Sequence, residues 1–240
     1  MKKFKQKLSI VIPIYNERNN LYPLTKKLIN NLRNFDYEII IVDDNSNDGS
    51  IEILKKLKKK YSFFKPIFRN KLPDLTQSCF TGINKSKFKN VLIMDGDLQH
   101  DPKYIKLLFN KYHTGNFDFV IGSRDFKQKN LGISTTRKYA SLILINFFSI
   151  FKMGISDPMS GFFIFKKKIY IKNKKKFFGK GFKILIDLLL SSDQKFRVSE
   201  LKINFKVRGQ NRSKMNIVVL IYVIEFYIKN LFKLFFKFLF

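Results

Sequence analysis

The stretch VLIMDGDLQHDP, residues 91–102, joins a run of aliphatic side chains to three aspartates. An uninterrupted apolar run of this kind is typical of a strand that is buried on both faces of a sheet. The aspartates would then follow the carboxyl end of that strand, where parallel α/β sheets bind their ligands. The stretch therefore predicts a buried strand that ends in carboxylates at the rim of the sheet.

Four other aliphatic runs predict further buried strands: LSIVIPI (8–14), YEIIIVDD (37–44), FKPIFR (64–69) and FDFVIGSR (117–124). Lysine-rich stretches of helical character lie between them. We expect Asp48 to cap a helix that runs to about Lys60, and Asp101 with Pro102 to begin another. Alternating strands and helices predict an α/β fold, in which a mainly parallel sheet is flanked by helices.

The length and composition of the chain limit its organisation. Its 240 residues fit one α/β domain, expected over residues 1–215, followed by a C-terminal helix over residues 216–240. The single cysteine, Cys79, excludes an intramolecular disulfide and favours a reducing compartment. The formal net charge of +29 predicts attraction to anionic lipid, nucleic acid or phosphorylated small molecules. The lysine runs are equally compatible with ordinary solvated helix faces.

Polar clusters follow four of the predicted strands, and the cluster after residue 94 has the composition of a metal site. Asp95 and Asp97 can turn toward one point above the sheet, and Gln99 can add an amide oxygen. Such hard oxygen ligands suit Mg²⁺ or Mn²⁺. The alternative is a loop in which the aspartates bind backbone amides. A nucleotide diphosphate site is favoured by the other charged residues expected at the same rim, namely Glu17, Asp43, Asp44, Arg124, Arg208 and Lys214.

Seven motifs in order carry a family resemblance over roughly residues 8–214. They are VIPIYNERNNL, IIIVDDNSNDGS, MDGDLQHDP, VIGSR, SDPMSGFFIFKK, GFKILIDLL and VRGQNRSK. In these motifs the chain resembles the glycosyltransferases of the dolichol-phosphate mannosyltransferase type, which have the Rossmann-like GT-A fold. It departs from common members in having glycine at position 96 in place of alanine. Where some relatives have a glycine-rich loop after the third strand, it has RNKLPDLTQSCFTGI, which resembles the form found in other members.

The resemblance implies a role for each matching position. The nucleotide would be bound by Pro13, Tyr15, Glu17, Ile41 and Asp43, with the last two at the base and ribose. The metal and diphosphate would be surrounded by Asp95, Gly96, Asp97 and Gln99, with Asp95, Asp97 and Gln99 as the metal ligands. The cations would bind phosphate or sugar (Arg124), the acceptor's phosphate (Arg137) and the diphosphate (Arg208 and Lys214), although each could also be a surface charge.

The resemblance also implies a reaction, in which we expect Asp97, Arg124 and Arg137 to take part. A hexose, expected to be mannose from GDP-mannose, would pass with inversion to the phosphate of a polyprenyl monophosphate. The alternatives are a UDP-glucose-dependent polyprenyl-phosphate glucosyltransferase and a polysaccharide-building enzyme. A basic RNA-binding module is a remote alternative, because no nucleic-acid-binding motif accompanies the charge and the acidic strand ends would repel phosphates. His100 is interpreted as a polar residue at a helix start.

Two apolar segments predict contact with a membrane surface. Residues 139–151 carry no charge but are too short to span a bilayer, so they predict either an interfacial helix or a buried core helix. In residues 216–240 the charges lie at Glu225, Lys229, Lys233 and Lys237, which leaves a broad apolar face on a helix. This pattern favours peripheral or monotopic attachment over a spanning helix. We expect the chain at the cytoplasmic face of the membrane.

Overall fold

The computed structural model describes residues 6–33, 35–125, 135–151, 153–181, 184–192, 194–206 and 217–239. Within them lie the strands β1 (Gln6–Ile14), β2 (Phe35–Asp43), β3 (Phe64–Phe68), β4 (Asn90–Ile93), β5 (Phe119–Arg124), β6 (Phe163–Lys166) and β7 (Val198–Ile203). The helices are α1 (Arg18–Asn31), α2 (Ser50–Lys60), α3 (Leu75–Lys85), α4 (Tyr104–Thr114), α5 (Thr135–Ser149), α6 (Lys167–Asn173), α7 (Ile184–Leu190) and α8 (Ile217–Leu239).

The described strands form one sheet in the order β3-β2-β1-β4-β6-β5-β7. Strand β1 is parallel to both β2 and β4, β2 is parallel to β3, and β5 is parallel to β7. Only β6 among them runs antiparallel, and it lies between β4 and β5. The predicted α/β fold with a mainly parallel sheet is therefore confirmed. The strand order reverses between β1 and β4, and such a switch point is where open α/β sheets bind ligands.

Apolar side chains of the central strands point to both faces of the sheet. In β1, Ile10 and Ile12 pack on the side of α1, α2 and α4, while Val11 packs against α3 on the other side. All three are fully buried, as is Cys79 on α3. Each such side chain contributes about 1.5–3 kcal/mol through its removal from water. Burial on both faces explains why these strands were recognisable as continuous apolar runs.

Gly82 allows α3 to approach the sheet closely. A Cβ at this position would lie 2.3 Å from Cγ1 of Val11, which belongs to a central strand. We expect Gly82→Ala to lower the free energy of unfolding by about 1–2 kcal/mol, even though alanine favours the helix by about 1 kcal/mol. Urea unfolding compared with Lys85→Ala, an exposed change on the same helix, measures this effect. Equal stability of the two variants would contradict the close packing.

Two predicted helix starts are shifted in the structure. The helix that ends at Lys60 begins at Ser50 with Gly49 as its cap residue, so Asp48 lies one position outside the predicted cap. Its carboxylate still accepts from the backbone N–H of Ser50 at 3.0 Å. Helix α4 begins at Tyr104, and Asp101 instead caps the preceding turn by accepting from the backbone N–H of Lys103 at 3.1 Å.

The tail forms the helix α8, which packs against α5 and α7. Phe148 of α5 and Val223 and Phe226 of α8 are buried in one apolar cluster, and the rings of Phe147 and Tyr227 stack 3.6 Å apart. Of the helices in the described ranges, none is both long enough and apolar enough to cross a membrane. The predicted division at residue 215 stays a prediction.

Candidate active site

The loops that follow β1 and β2 are joined by hydrogen bonds. The backbone N–H of Asn16 donates to Oγ of Ser46 at 2.8 Å, and its side-chain oxygen accepts from the backbone N–H of Asn47 at 2.9 Å. Asn16 and Asn45 both adopt positive φ angles, which asparagine tolerates better than most residues. Short polar side chains are therefore needed here because they bend the chain and bind the neighbouring loop.

Asp43 lies at the end of β2 with a carboxylate that is fully buried. Oδ1 accepts from the backbone N–H of Ser46 at 3.0 Å, while Oδ2 makes no hydrogen bond within the described part of the chain. A buried carboxylate oxygen of this kind is costly unless it gains a donor. A ligand hydroxyl, such as that of a ribose, would supply one.

The other predicted nucleotide residues lie close to Asp43 in the sheet or in the adjoining loop. Pro13 is buried and opposite Val42 in the register, and Ile41 is fully buried in the core, so any contact of Ile41 with a base stays a prediction. Glu17 is buried and accepts from the side-chain amide of Asn20 at 2.6 Å. Tyr15 is half-buried at the same rim.

The predicted metal ligands follow β4 in a tight turn. Asp97 and Gln99 are only 3% exposed, whereas the side chain of Asp95 is 34% exposed. Oδ1 of Asp97 accepts from the backbone N–H of Gln99 at 3.1 Å, and Leu98 between them has a φ of 65°. The turn thus keeps Asp95, Asp97 and Gln99 together at the rim of the sheet.

The segment after β7 is attached to this turn. The side-chain amide of Gln99 donates to the carbonyl of Lys206 at 3.1 Å, and the backbone N–H of Lys206 donates back to the carbonyl of Gln99 at 3.0 Å. The Lys206 ammonium lies 2.6 Å from the Asp101 carboxylate. Burial works against ionisation of Asp101, but the hydrogen bonds from Lys206 and from the backbone N–H of Lys103, together with the nearby lysine charges, lower the pKa of the carboxyl. The chain that leads to Arg208 is therefore fixed on the predicted metal motif.

Two glycines leave room around the aspartates. A Cβ on Gly96 would lie 2.6 Å from Cγ2 of Ile14, so the glycine at this position is matched to the isoleucine at the end of β1. A Cβ on Gly161 would lie 2.6 Å from Oδ2 and 2.7 Å from Oδ1 of Asp95. The Asp95 carboxylate consequently rests against backbone at Gly161, where any side chain would displace it.

Gly161→Ala is expected to displace the Asp95 carboxylate while sparing the fold. The clash involves the end of a flexible side chain, so the melting temperature should change little. If Asp95 binds metal, Mn²⁺ affinity should fall about tenfold or more, approaching the loss in Asp95→Ala. Titration of MnCl₂ into the two variants and the unaltered chain measures this. Unchanged affinity in Gly161→Ala would show that the carboxylate can bind from another position.

Arg124, at the end of β5, forms a bidentate ion pair with Asp157. Its Nε and Nη2 atoms each lie 2.8 Å from a carboxylate oxygen of Asp157, and its backbone N–H donates to the same carboxylate at 3.1 Å. Asp157 is fully buried, and Glu200 of β7 accepts from its backbone N–H at 3.2 Å. Asp157 lies in one of the seven family motifs, but the motif by itself indicates no role for the carboxylate. Arg124 thus holds the loop before β6 as well as lying at the rim.

His100 is not at a helix start, which corrects the sequence interpretation. The side chain is 3% exposed, and its ring stacks on Phe162 with centroids 5.1 Å apart and meets Phe205 edge-on at 5.2 Å. Its Nδ1 atom lies 3.6 Å from Oδ2 of Asp95. No sequence pattern indicates this placement, because the two phenylalanines come from distant segments.

A second network that sequence reasoning missed joins the loops after β2 and β3. The guanidinium of Arg69 binds the Asp44 carboxylate, which also accepts from the backbone N–H of Asp74 at 2.6 Å. Asp74 caps α3 and accepts from the backbone N–H of Gly181 at 2.9 Å. Burial raises the pKa of Asp44, and the Arg69 charge opposes that rise. These contacts shape the rim beside Asp43.

The remaining predicted cations cannot be located from side-chain geometry. Arg137 belongs to α5, but its side chain lies outside the described residues, as do Arg208 and Lys214 altogether. Within the described ranges there is no cluster of three or more His, Cys, Asp or Glu side chains suited to a metal ion. The candidate donor set is instead two carboxylates and one amide, a set of hard oxygens compatible with Mg²⁺ or Mn²⁺ when substrate or water completes the coordination.

Comparisons with known proteins show what this chain resembles in sequence and in fold. The family model described as "Glycosyl transferase family 2" matches residues 9–173. A dolichol-phosphate mannosyltransferase of Saccharomyces cerevisiae is 31% identical over 235 residues, covering 90% of this chain and 84% of the relative. The Pyrococcus furiosus protein of the same name is 34% identical, covering 87% of this chain but only 59% of the relative. The fold is similar to that of Mycobacterium tuberculosis glucosyl-3-phosphoglycerate synthase, crystallised with Mn²⁺ and UDP-glucose (TM-score 0.67, 14% identity, covering 95% of this chain and 78% of that one).

Proposed function

Because the chain belongs to glycosyl transferase family 2, we propose that it transfers a hexose from a nucleotide sugar to the phosphate of a polyprenyl monophosphate. The two relatives compared above are named for transfer of mannose to dolichol phosphate, which supports this acceptor class and mannose as the sugar. GDP-mannose is the proposed donor. Family membership argues against the RNA-binding alternative.

The observation that carries the proposal is the grouping of polar residues at the switch point of the sheet. Asp43 is the last residue of β2, Glu17 follows β1, and Asp97 follows β4, and these three strands are parallel neighbours. Their carboxyl ends therefore share one rim. We propose that the buried Oδ2 of Asp43 accepts a hydrogen bond from a ribose hydroxyl and that the carboxylates after β4 face the diphosphate; the lack of a partner for Oδ2 within the described residues supports the first role.

We propose Asp95, Asp97 and Gln99 as the residues that hold Mg²⁺ or Mn²⁺. When bound, the cation would neutralise negative charge on the departing diphosphate. The hydrogen bond from the backbone N–H of Gln99 to Asp97 and the bond from the Gln99 amide to Lys206 hold both side chains in place, which supports this proposal. The Asp95 side chain is partly exposed, and we propose that the substrate reaches the cation from this exposed side.

The reaction needs alignment and charge neutralisation from the protein more than it needs a base. The acceptor's phosphate is already an anion near neutral pH, so its oxygen can attack the anomeric carbon without a strong general base. Attack opposite the leaving diphosphate inverts that carbon. We propose that Arg124 binds phosphate or sugar, that Arg137 binds the acceptor's phosphate, and that Arg208 and Lys214 bind the diphosphate.

A lipid acceptor requires contact with a membrane, and α5 and α8 supply an apolar surface for it. We define this membrane-contact surface by its exposed side chains: Tyr139, Ile143 and Phe147 on α5, Ile150 directly after α5, and Val218, Ile221, Ile224, Ile228, Leu231, Phe232 and Phe235 on α8. On α5 they recur every four residues, and on α8 they recur every three or four residues apart from the adjacent pair Leu231 and Phe232, so they form ridges. Together with the net charge of +29, these ridges support peripheral attachment to an anionic surface, which we propose to be the cytoplasmic face.

Charges placed on the membrane-contact surface should release the protein from lipid. Deleting α8 would uncover the buried cluster around Phe226, so the double substitution Ile221→Asp with Ile228→Asp is the cleaner change. We expect its partition onto vesicles that contain phosphatidylserine to fall about tenfold or more in a flotation assay. Ile171→Asp, at an isoleucine of α6 that is 61% exposed, is the matched control. Equal loss in both variants would contradict a specific surface.

The proposed activity is tested by incubating the chain with MnCl₂, a polyprenyl monophosphate and labelled GDP-mannose, and then extracting the lipid. Label in the lipid phase is the expected result. Parallel reactions with labelled UDP-glucose and with a glycan acceptor distinguish the glucosyltransferase and polysaccharide alternatives. Absence of labelled lipid with every donor would overturn the polyprenyl-phosphate assignment.

A further inference from the structure

We infer that His100 is a positioning residue, which orients the Asp95 carboxylate toward the metal. This inference rests on the proposed metal site and adds to it a residue outside the donor set. Nδ1 of His100 lies 3.6 Å from Oδ2 of Asp95. That separation is slightly longer than a hydrogen bond, and a small rotation of the carboxylate closes it.

The imidazole itself is held firmly. Phe162 comes immediately before β6 and Phe205 follows β7, so the ring is fixed by two segments that are far from it in sequence. Phe205 also lies 5.7 Å from the guanidinium carbon of Arg124, which is in turn bound to the buried Asp157. His100 therefore contacts the segments next to β6 and β7 directly and the end of β5 through Phe205, while its own segment contains the predicted metal ligands.

Packing alone does not account for a histidine at this position. A phenylalanine would fill the space between two aromatic rings without the free energy cost of burying imidazole nitrogens. The polar atom that faces Asp95 offers a reason for the histidine. Asp95 needs such a neighbour more than Asp97 does, because its side chain is one-third exposed at the end of a strand.

The Asp95 carboxylate is thus bounded on two sides. Gly161 lets the carboxylate rest against backbone, and His100 provides a polar atom near Oδ2. Partners that orient a ligating carboxylate affect metal affinity by about 10–100-fold when they are removed. His100 would act in this way, through Asp95, without touching metal or substrate.

Two substitutions of His100 test the contributions of the Nδ1 atom and of the aromatic ring separately. His100→Phe keeps an aromatic ring between Phe162 and Phe205 but removes the nitrogen, whereas His100→Asn keeps a polar atom near the Nδ1 position and loses the ring. MnCl₂ is titrated into the full chain, and free Mn²⁺ is followed by electron paramagnetic resonance. We expect His100→Phe to weaken Mn²⁺ binding about tenfold with little change in melting temperature, and His100→Asn to bind Mn²⁺ more tightly than His100→Phe. His113→Phe, at an exposed histidine of α4, should bind like the unaltered chain.

The outcomes distinguish the inference from the proposed function. If the unaltered chain left all Mn²⁺ free, the metal site itself would be wrong, and the inference with it. If the unaltered chain bound Mn²⁺ and His100→Phe bound it equally well, the metal site would stand and the role of His100 would be overturned. Weaker binding by His100→Asn than by His100→Phe would likewise overturn it, because the ring would then be what matters.

Discussion

Asp97→Asn is expected to lower hexose transfer by at least about a hundredfold, because it removes a charge from the proposed metal site, where the cation would neutralise the departing diphosphate. The change is nearly isosteric. Asparagine Oδ1 can still accept from the backbone N–H of Gln99, so the turn after β4 should keep its shape. The expected loss therefore concerns charge and metal binding, and the melting temperature should stay close to that of the unaltered chain.

The measurement is incorporation of labelled mannose into polyprenyl phosphate at several Mn²⁺ concentrations. Asp36→Asn is the matched control, because Asp36 lies at the start of β2 and hence at the opposite end of the sheet. Transfer by Asp97→Asn at the unaltered rate would remove Asp97 from the proposed ligand set. Partial recovery at high Mn²⁺ would support weakened metal binding as the cause of the loss.

The attachment of Gln99 to Lys206 has a consequence for such experiments. The two residues exchange hydrogen bonds, and the backbone N–H of Asn204 donates to the hydroxyl of Tyr104 at 3.1 Å. The segment that leads from β7 into the basic motif is therefore bound to the turn that carries Asp97. Substitutions of Gln99 would alter both the proposed ligand and this segment, whereas Asp97→Asn is the more selective probe.

Most of the sheet could be predicted because its strands are buried on both faces. Residues 8–14 and 37–44 are nearly continuous apolar runs for that reason, and they correspond to β1 and β2 with shifts of only one or two residues at their ends. The carboxyl ends of parallel strands share a rim. Asp43 and Asp97 both come at or after the carboxyl end of a predicted strand, so their location at the same rim could also be predicted.

What could not be predicted depends on pairings between distant segments. The insertion of β6 between β4 and β5 is one example, because the sequence of a short strand such as residues 163–166 does not indicate which strands it pairs with. The aromatic neighbours of His100 are another, since Phe162 and Phe205 are separated from it by long stretches of chain. The ion pair of Asp157 with Arg124 arises in the same way, from two loops that meet only in the folded protein.

That ion pair carries the prediction with the largest expected effect on stability. Asp157→Ala should lower the free energy of unfolding by about 3–5 kcal/mol, because it leaves the Arg124 guanidinium largely buried without its carboxylate. Asp157→Asn keeps the volume and one acceptor oxygen and should cost less. Urea unfolding is the measurement. Lys166→Ala, which removes the lysine of the partly exposed pair with Asp118, should cost only about 0–1 kcal/mol.

The same variants test what Arg124 does at the rim. Asp157 binds both the guanidinium and the backbone N–H of Arg124, so its loss should free that side chain from its present direction. If Arg124 binds the donor as proposed, the KM for GDP-mannose should rise in Asp157→Asn at temperatures where the variant remains folded. A variant that is less stable but has an unchanged KM would limit Arg124 to holding the loop before β6, and Arg137, Arg208 and Lys214 would then be left as the proposed phosphate-binding cations.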